Sequence, residues 1–172
     1  MPPNSNDELV ARYDAAGFMV GTALRSEVRA AGLWHAAAMV LVRSTDGTQA
    51  YVHLRTDDKD VFPGLHDCWA GGVIAAGETP AECAARELAE ELGITSVTPR
   101  PLFTLRYEQP PQRSHNFVFE IHCDGPFTPQ PAEIVSGAWM TMNALRRWAE
   151  APGCTLTPDG RHTIQEWFRR YG

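Results

Sequence analysis

Several common features are missing from this 172-residue chain. No apolar run approaches the roughly 20 residues of a membrane span, and the opening MPPNSNDELV lacks the basic flank and apolar segment of a secretion leader. Positive charge is scarce: 15 Lys+Arg stand against 21 Asp+Glu, a net −6, and Lys59 is the single lysine. That balance argues against nucleic acid or an anionic membrane as partner, since both require basic patches. Cysteines 68, 83, 123 and 154 are scattered without a CxxC pair, which excludes the usual zinc and thioredoxin-type spacings and fits free, buried thiols. Neither GxSxG nor HExxH occurs, and the partial phosphate-loop pattern at 72–77 meets Glu78 where a lysine is required. No repeat or low-complexity stretch is present. The expectation is a cytoplasmic protein of one domain spanning 1–172, with residues 1–7 a disordered tip.

What is present alternates strands with helices. Residues 8–13 and 18–24 flank Asp14-Ala-Ala-Gly17 as a hairpin, and 26–31 reads as a short helix ended by Gly32. Residues 36–42 and 50–55 read as strands around a turn at 44–47, followed by a charged loop over 57–66 and a short strand at 68–71. Further strands are expected at 101–107, 116–123 and 138–142, and helices at 143–149 and 157–171. The strongest helix signal spans 80–92: Thr79 and Glu82 have capping-box spacing, Pro80 takes the first helical position, and Gly93 suits a left-handed terminus. This order predicts an α/β sandwich with a central mixed sheet.

The helix at 80–92 carries the chemistry. Ala81, Ala84, Ala85, Leu88 and Leu92 share one stripe and face the core. With Glu87 at 0°, Glu90 falls at about −60° and Glu91 at about +40°, so three carboxylates crowd one arc. No lysine or arginine at i+4 relieves them. The arrangement reads either as a solvated acidic face or as oxygen ligands for a dissolved hard cation, Mg²⁺ or Mn²⁺.

The wider spacing resembles a known signature. Gly72, five residues, Glu78, seven residues, Arg86-Glu87-Leu88, one residue, Glu90-Glu91, one residue and Gly93-Ile94 match every specified position of the Nudix hydrolase motif. A chance match is below about one in a million. The resemblance implies a Nudix-type α/β/α sandwich and a Mg²⁺- or Mn²⁺-dependent pyrophosphohydrolase. Its implied metal ligands are Glu87, Glu90, Glu91 and the Gly71 carbonyl, with Glu78 and Arg86 pairing to fix the loop, and Gly72 and Gly93 supporting the motif. Its implied substrate is a small-molecule diphosphate: a nucleoside diphosphate linked to another moiety, or a similar organic diphosphate, cut by water attack on phosphorus. Glu133, six residues before Trp139, resembles a later glutamate that many members use as a further ligand or to orient water, with Glu120 as its rival. Glu87 also remains a candidate base.

A narrower resemblance concerns substrate. Leu54-Arg55 through Lys59-Asp60 to Phe62-Pro63-Gly64, leading to Trp69, is similar to the isopentenyl-diphosphate isomerase branch, as is Leu33-Trp-His35-Ala36. It implies that Arg55 and Lys59 bind the diphosphate, and Trp69 lies close enough to the motif to touch a substrate. The isomerase chemistry itself is not implied, because Ala70 stands where that branch has its cysteine and Gly72 where it has a histidine. The competing readings are an isomerase-like enzyme and a non-catalytic diphosphate-binding module. Specificity is expected in three segments, 57–69, 106–115 and 125–136.

Overall fold

The computed structural model describes residues 7–172, so all but the last residue of the expected disordered tip lies outside the described residues. The expected hairpin forms as β1 (Leu9–Tyr13) and β2 (Met19–Leu24), and α1 (Arg25–Ala31) ends at Gly32, whose φ of 59° is the left-handed one expected there. Next come β3 (Trp34–Arg43), β4 (Gln49–Arg55), β5 (His66–Asp67), β6 (Trp69–Val73) and α2 (Pro80–Leu92). The chain closes with β7 (Arg100–Gln109), β8 (Gln112–His122), β9 (Ile134–Thr141), α3 (Met142–Glu150) and α4 (Pro158–Tyr171).

Strand β3 organises the mixed sheet. It pairs antiparallel with β6 and parallel with β8, from Trp34↔Arg113 to Arg43↔His122. Its sequence, WHAAAMVLVR, is apolar at nearly every position, as a strand covered on both faces must be. Ala38, Val40 and Val42 pack with Ala84, Leu88 and Leu92 of α2, whereas Met39 and Leu41 pack with Leu145 of α3 and Ile164, Trp167 and Phe168 of α4. The result is the expected α/β/α sandwich. Among the described residues, no helix is long and apolar enough to cross a membrane.

Two elements differ from their sequence expectation. The turn at 44–47 forms, with Gly47 N–H donating to the Ser44 carbonyl at 2.8 Å, but β3 and β4 pair only at Arg43↔Ala50 before diverging. Strand β3 is taken on both edges by β6 and β8, so β4 pairs instead with β9, from Gln49↔Thr141 to Arg55↔Ile134. Segment 106–115 is the end of a long β7–β8 hairpin, with Gln109↔Gln112 as its last pair.

Helix α2 has both expected ends. The Thr79 hydroxyl accepts from Glu82 N–H at 3.2 Å, and the Glu82 carboxylate accepts from Thr79 N–H at 2.8 Å. Gly93 (φ 69°) donates its N–H to the Ala89 carbonyl, and Ile94 donates to that of Leu88. The start and end of the acidic helix are therefore set locally.

His53 of β4 is buried at 4% exposure, and burial, reinforced by Arg55, pushes its pKa down to about 3. The unfolded imidazole binds a proton near 6.5, so acid favours the unfolded chain between those values. This group's contribution to stability is complete above pH 6.5 and is lost as pH falls toward 3. Urea unfolding at pH 7, 5.5 and 4.5 should therefore show a decline that His53→Gln flattens, by up to about 1.4 kcal/mol per pH unit.

Candidate active site

Strand β6 brings Gly71 and Gly72 opposite Met39 and Ala38 of β3. A Cβ on Gly71 would collide with the Ala38 carbonyl oxygen, and one on Gly72 would collide with Glu87 Oε1. Gly71 thus lets β6 lie close against β3, and Gly72 leaves room for the Glu87 carboxylate of α2 on the strand. Gly71 N–H donates to Glu91 Oε2 at 3.2 Å, fixing that contact.

Arg86 gathers the remaining acidic groups. Its Nε and Nη2 lie 2.7 and 3.1 Å from the two Glu78 oxygens, a bidentate pair. Its Nη1 donates to Glu87 Oε1 at 2.7 Å and meets Glu90 Oε2 at 3.2 Å. Glu78 also accepts from Ala75 N–H at 2.9 Å, which ties the loop ahead of α2 to the helix, as the sequence resemblance implied. Burial works against the Glu78 charge, but the bonds from Arg86 and Ala75 outweigh it, and the pKa falls below its ordinary value.

Glu87 and Glu91 sit in a different environment. Glu91 is 6% exposed, and burial raises its pKa, with the neighbouring Glu87 charge adding to the effect. Burial also raises the Glu87 pKa, against the opposing pull of Arg86. Glu90 is half exposed at the helix surface. Arg86 draws Glu87 and Glu90 toward itself, and among the described residues no group of three or more His, Cys, Asp or Glu side chains converges to hold an ion.

A cleft of about 630 Å³ opens beside the glycine pair, and Arg55, Lys59 and Trp69 line it together with Gly71 and Gly72. Arg55 spends its Nε on the Phe62 carbonyl at 3.1 Å and an Nη on that of Val61 at 2.8 Å, and its other Nη lies 3.8 Å from Asp67. It thereby shapes the 57–66 loop, including Phe62 in the left-handed region at φ 52°. Lys59 forms an ion pair with Glu133, whose backbone carbonyl accepts from Thr56 N–H at 3.1 Å. Burial and then Arg55 lower the Lys59 pKa, while the Glu91 and Glu87 charges raise it, so this ammonium faces the α2 carboxylates as well. Trp69 is 2% exposed, with its indole N–H donating to the Gly160 carbonyl at 3.0 Å, so it forms part of the cleft wall rather than a free face.

Glu120 lies elsewhere. It is buried among Arg43, Arg100, His122 and the Trp167 indole, at 2.8–3.5 Å, whereas Glu133 reaches the cleft through its ion pair with Lys59. The sequence reading missed Asp67, Asp159, Arg25 and Arg29, which line the same cleft from β5, α4 and α1. They belong to no motif and are separated by up to most of the chain, so only tertiary structure groups them. His35, which also lines it, holds its Nδ1 3.3 Å from the Leu33 carbonyl, and burial lowers its pKa.

The glycine pair generates a contrast. Gly71→Ala strikes rigid backbone and should cost about 1–3 kcal/mol in urea unfolding, the scale of an overpacked core. Gly72→Ala strikes a side-chain carboxylate that can swing aside, and should cost less. Equal losses would contradict this reading of the seat.

The NUDIX domain matches residues 33–157. The Nudix hydrolase orf19 of Rhodococcus erythropolis is 45% identical over 173 residues, covering 95% of this chain and 94% of its own. The Nudix hydrolase YfcD of Escherichia coli K12 is 32% identical over 152 residues, covering 88% and 82%. Among solved structures, DR0079 from Deinococcus radiodurans superposes with a TM-score of 0.80 at 25% identity, covering 92% of this chain and 98% of its own. A MutT protein from Methanosarcina mazei shares the fold at TM-score 0.66 and 21% identity, covering 80% and 94%. With the motif assembled on β6 and α2 and these relatives matched over four fifths or more of both chains, the chain belongs to the Nudix hydrolase family, a family of pyrophosphohydrolases.

Proposed function

We propose that this protein hydrolyses a small organic diphosphate in the cytoplasm, a nucleoside diphosphate linked to another moiety or a close analogue, with Mg²⁺ or Mn²⁺. The observation that carries this reading is the pair of buried carboxylates, Glu87 and Glu91, seated on Gly71–Gly72 beside a cleft that Arg55 and Lys59 line. Burial raises both pKa values, Glu91 has no arginine beside it among the described residues, and Glu87 shares Arg86 with Glu78 and Glu90, so the pair is short of counter-charge and its hard oxygen donors fit a divalent cation. Glu87, Glu90, Glu91 and the Gly71 carbonyl would hold it. When bound, the ion supplies positive charge against the phosphates and makes water more acidic.

The remaining roles fall to the chain itself. Arg86 and Glu78 hold the loop and helix in register, so that the carboxylates stay in place as charge enters the cleft. Lys59 presents an ammonium to the diphosphate, and Arg55 both shapes the loop and adds charge. Glu133 orients the attacking water and takes its proton as the oxygen bonds phosphorus and the anhydride P–O bond breaks. Its ion pair with Lys59 couples the two, since a diphosphate drawing Lys59 away leaves the Glu133 carboxylate without its counter-charge.

The isomerase alternative is disfavoured by a specific observation. Cys68, the thiol nearest in sequence to the position that branch uses, is 1% exposed in the core beside α3 and α4, and burial raises its pKa well above the ordinary value. A thiol so placed is inert as an acid–base group.

A screen of organic diphosphates with Mg²⁺ and Mn²⁺, followed by mass spectrometry of products, should find metal-dependent cleavage. Glu90→Gln and Glu91→Gln should lower kcat/KM by about 10²-fold or more with the fold intact. Glu133→Gln should lower kcat by about 10²-fold, and Glu120→Gln should leave it near wild type. Unchanged turnover in both Glu90 and Glu91 variants would end the assignment. Loss in Glu120→Gln but not in Glu133→Gln would exchange the two glutamates.

A further inference from the structure

Positive charge is arginine at every position of the chain but one, and that one, Lys59, stands among the carboxylates of the active site. Those carboxylates are unequally served. Arg86 meets Glu78 at 2.7 Å, Glu87 at 2.7 Å and Glu90 at 3.2 Å. Glu91, at 6% exposure, accepts from Gly71 N–H at 3.2 Å and has no arginine partner among the described residues. Lys59 lines the same cleft as Gly71 and Gly72, and its ammonium forms an ion pair with Glu133. The Glu91 and Glu87 charges also act on that ammonium, and it acts on both of them in return.

The loop anchors the backbone around Lys59 and leaves the end of its side chain able to change partners. Lys59 N–H donates to the Thr56 carbonyl at 3.4 Å, and Gly64 N–H donates to the same oxygen at 3.2 Å. Arg55 holds the carbonyls of Val61 and Phe62 just beyond. The Lys59 side chain itself keeps 21% exposure. Burial, Arg55 and Arg25 all work against its charge, so the acidic groups are what retain it. An ammonium on a four-carbon stem is a compact point charge, and it moves between oxygens more readily than a planar guanidinium fork.

We propose that Lys59 is the resident counter-ion of Glu87, Glu91 and Glu133, and that it and a divalent cation on the Glu87–Glu91 seat exclude one another. Both answer the same shortage of positive charge, and like charges a few ångströms apart in a partly buried cleft repel strongly. Once Glu87 and Glu91 hold a cation they no longer retain the ammonium, and Lys59 leaves them. The released side chain is then free for the diphosphate, and Glu133 loses its partner in the same movement. A lysine that only contacted substrate would have no effect on cation binding in the absence of substrate.

The inference rests on the divalent-cation reading above, and its test separates the two. Free Mn²⁺ would be measured by electron paramagnetic resonance as protein is added, with no diphosphate present. Wild type should bind Mn²⁺, and Glu91→Gln should lose that binding. Lys59→Met should bind Mn²⁺ at least about tenfold more tightly than wild type, whereas Arg25→Gln, which removes an equal charge from the same cleft, should stay within about twofold. A second measurement needs no substitution. With a single lysine in the chain, ¹³C at the lysine ε carbon gives one side-chain signal, which saturating Mg²⁺ should shift and narrow. A signal unchanged at saturating Mg²⁺, a Lys59→Met affinity no higher than wild type, or equal tightening in Arg25→Gln would overturn the inference alone. Wild type that binds no Mn²⁺, or binding that Glu91→Gln leaves intact, would overturn the cation reading and this inference with it.

Discussion

The seating of Glu87 and Glu91 on a pair of glycines is the contact on which the rest of the site depends. A carboxylate removed from water is costly unless something meets its charge. Here Gly72 has no Cβ to displace the Glu87 carboxylate, and Gly71 has none to push β6 away from the Ala38 carbonyl of β3. The same closeness lets Gly71 N–H bond Glu91. A side chain at position 72 would swing the Glu87 carboxylate off the strand, toward the ordinary solvated face that the spacing of these glutamates alone also allows.

Arg86 makes that seat tolerable. One guanidinium meets Glu78, Glu87 and Glu90, so a helix with crowded carboxylates remains an element of the fold. The arrangement leaves Glu91 without an arginine of its own and Glu90 half exposed. Charge is therefore balanced at the base of the motif and unbalanced toward the cleft, which is the polarity a cation-assisted site requires. Lys59 and Arg55, together with Arg25 and Arg29, line the cleft and bring positive charge into it in a protein of net −6.

The division between what was readable from residues and what was not follows contact distance along the chain. Helix α2 and its caps rest on interactions a few residues apart, and the Glu78–Arg86 tie spans eight residues, whereas the glycine seat joins Gly71 to Glu91 across twenty residues and to Ala38 of β3 outside the motif. The loop resemblance implies that Arg55 and Lys59 bind the diphosphate; both line the cleft, although Arg55 is largely engaged in shaping its own loop. Trp69 was named for its nearness in sequence and lies in the wall with its N–H already bonded to Gly160, ninety-one residues away.

The order of strands and helices, the capped acidic helix and the family were determined by the sequence alone, because capping, periodicity and motif spacing are local properties of a chain. Which strands pair was decided by the tertiary structure. Strand β3 takes β6 and β8 on its two edges and so turns β4 away toward β9, a choice that the short 44–47 turn could not reveal. The separation of Glu133 from Glu120, and the gathering of Asp67 and Asp159 with Arg25 and Arg29 along one cleft, are likewise tertiary facts. They arise from backbone pairing and helix packing between segments far apart in the chain, and nothing in the local order of residues records that proximity.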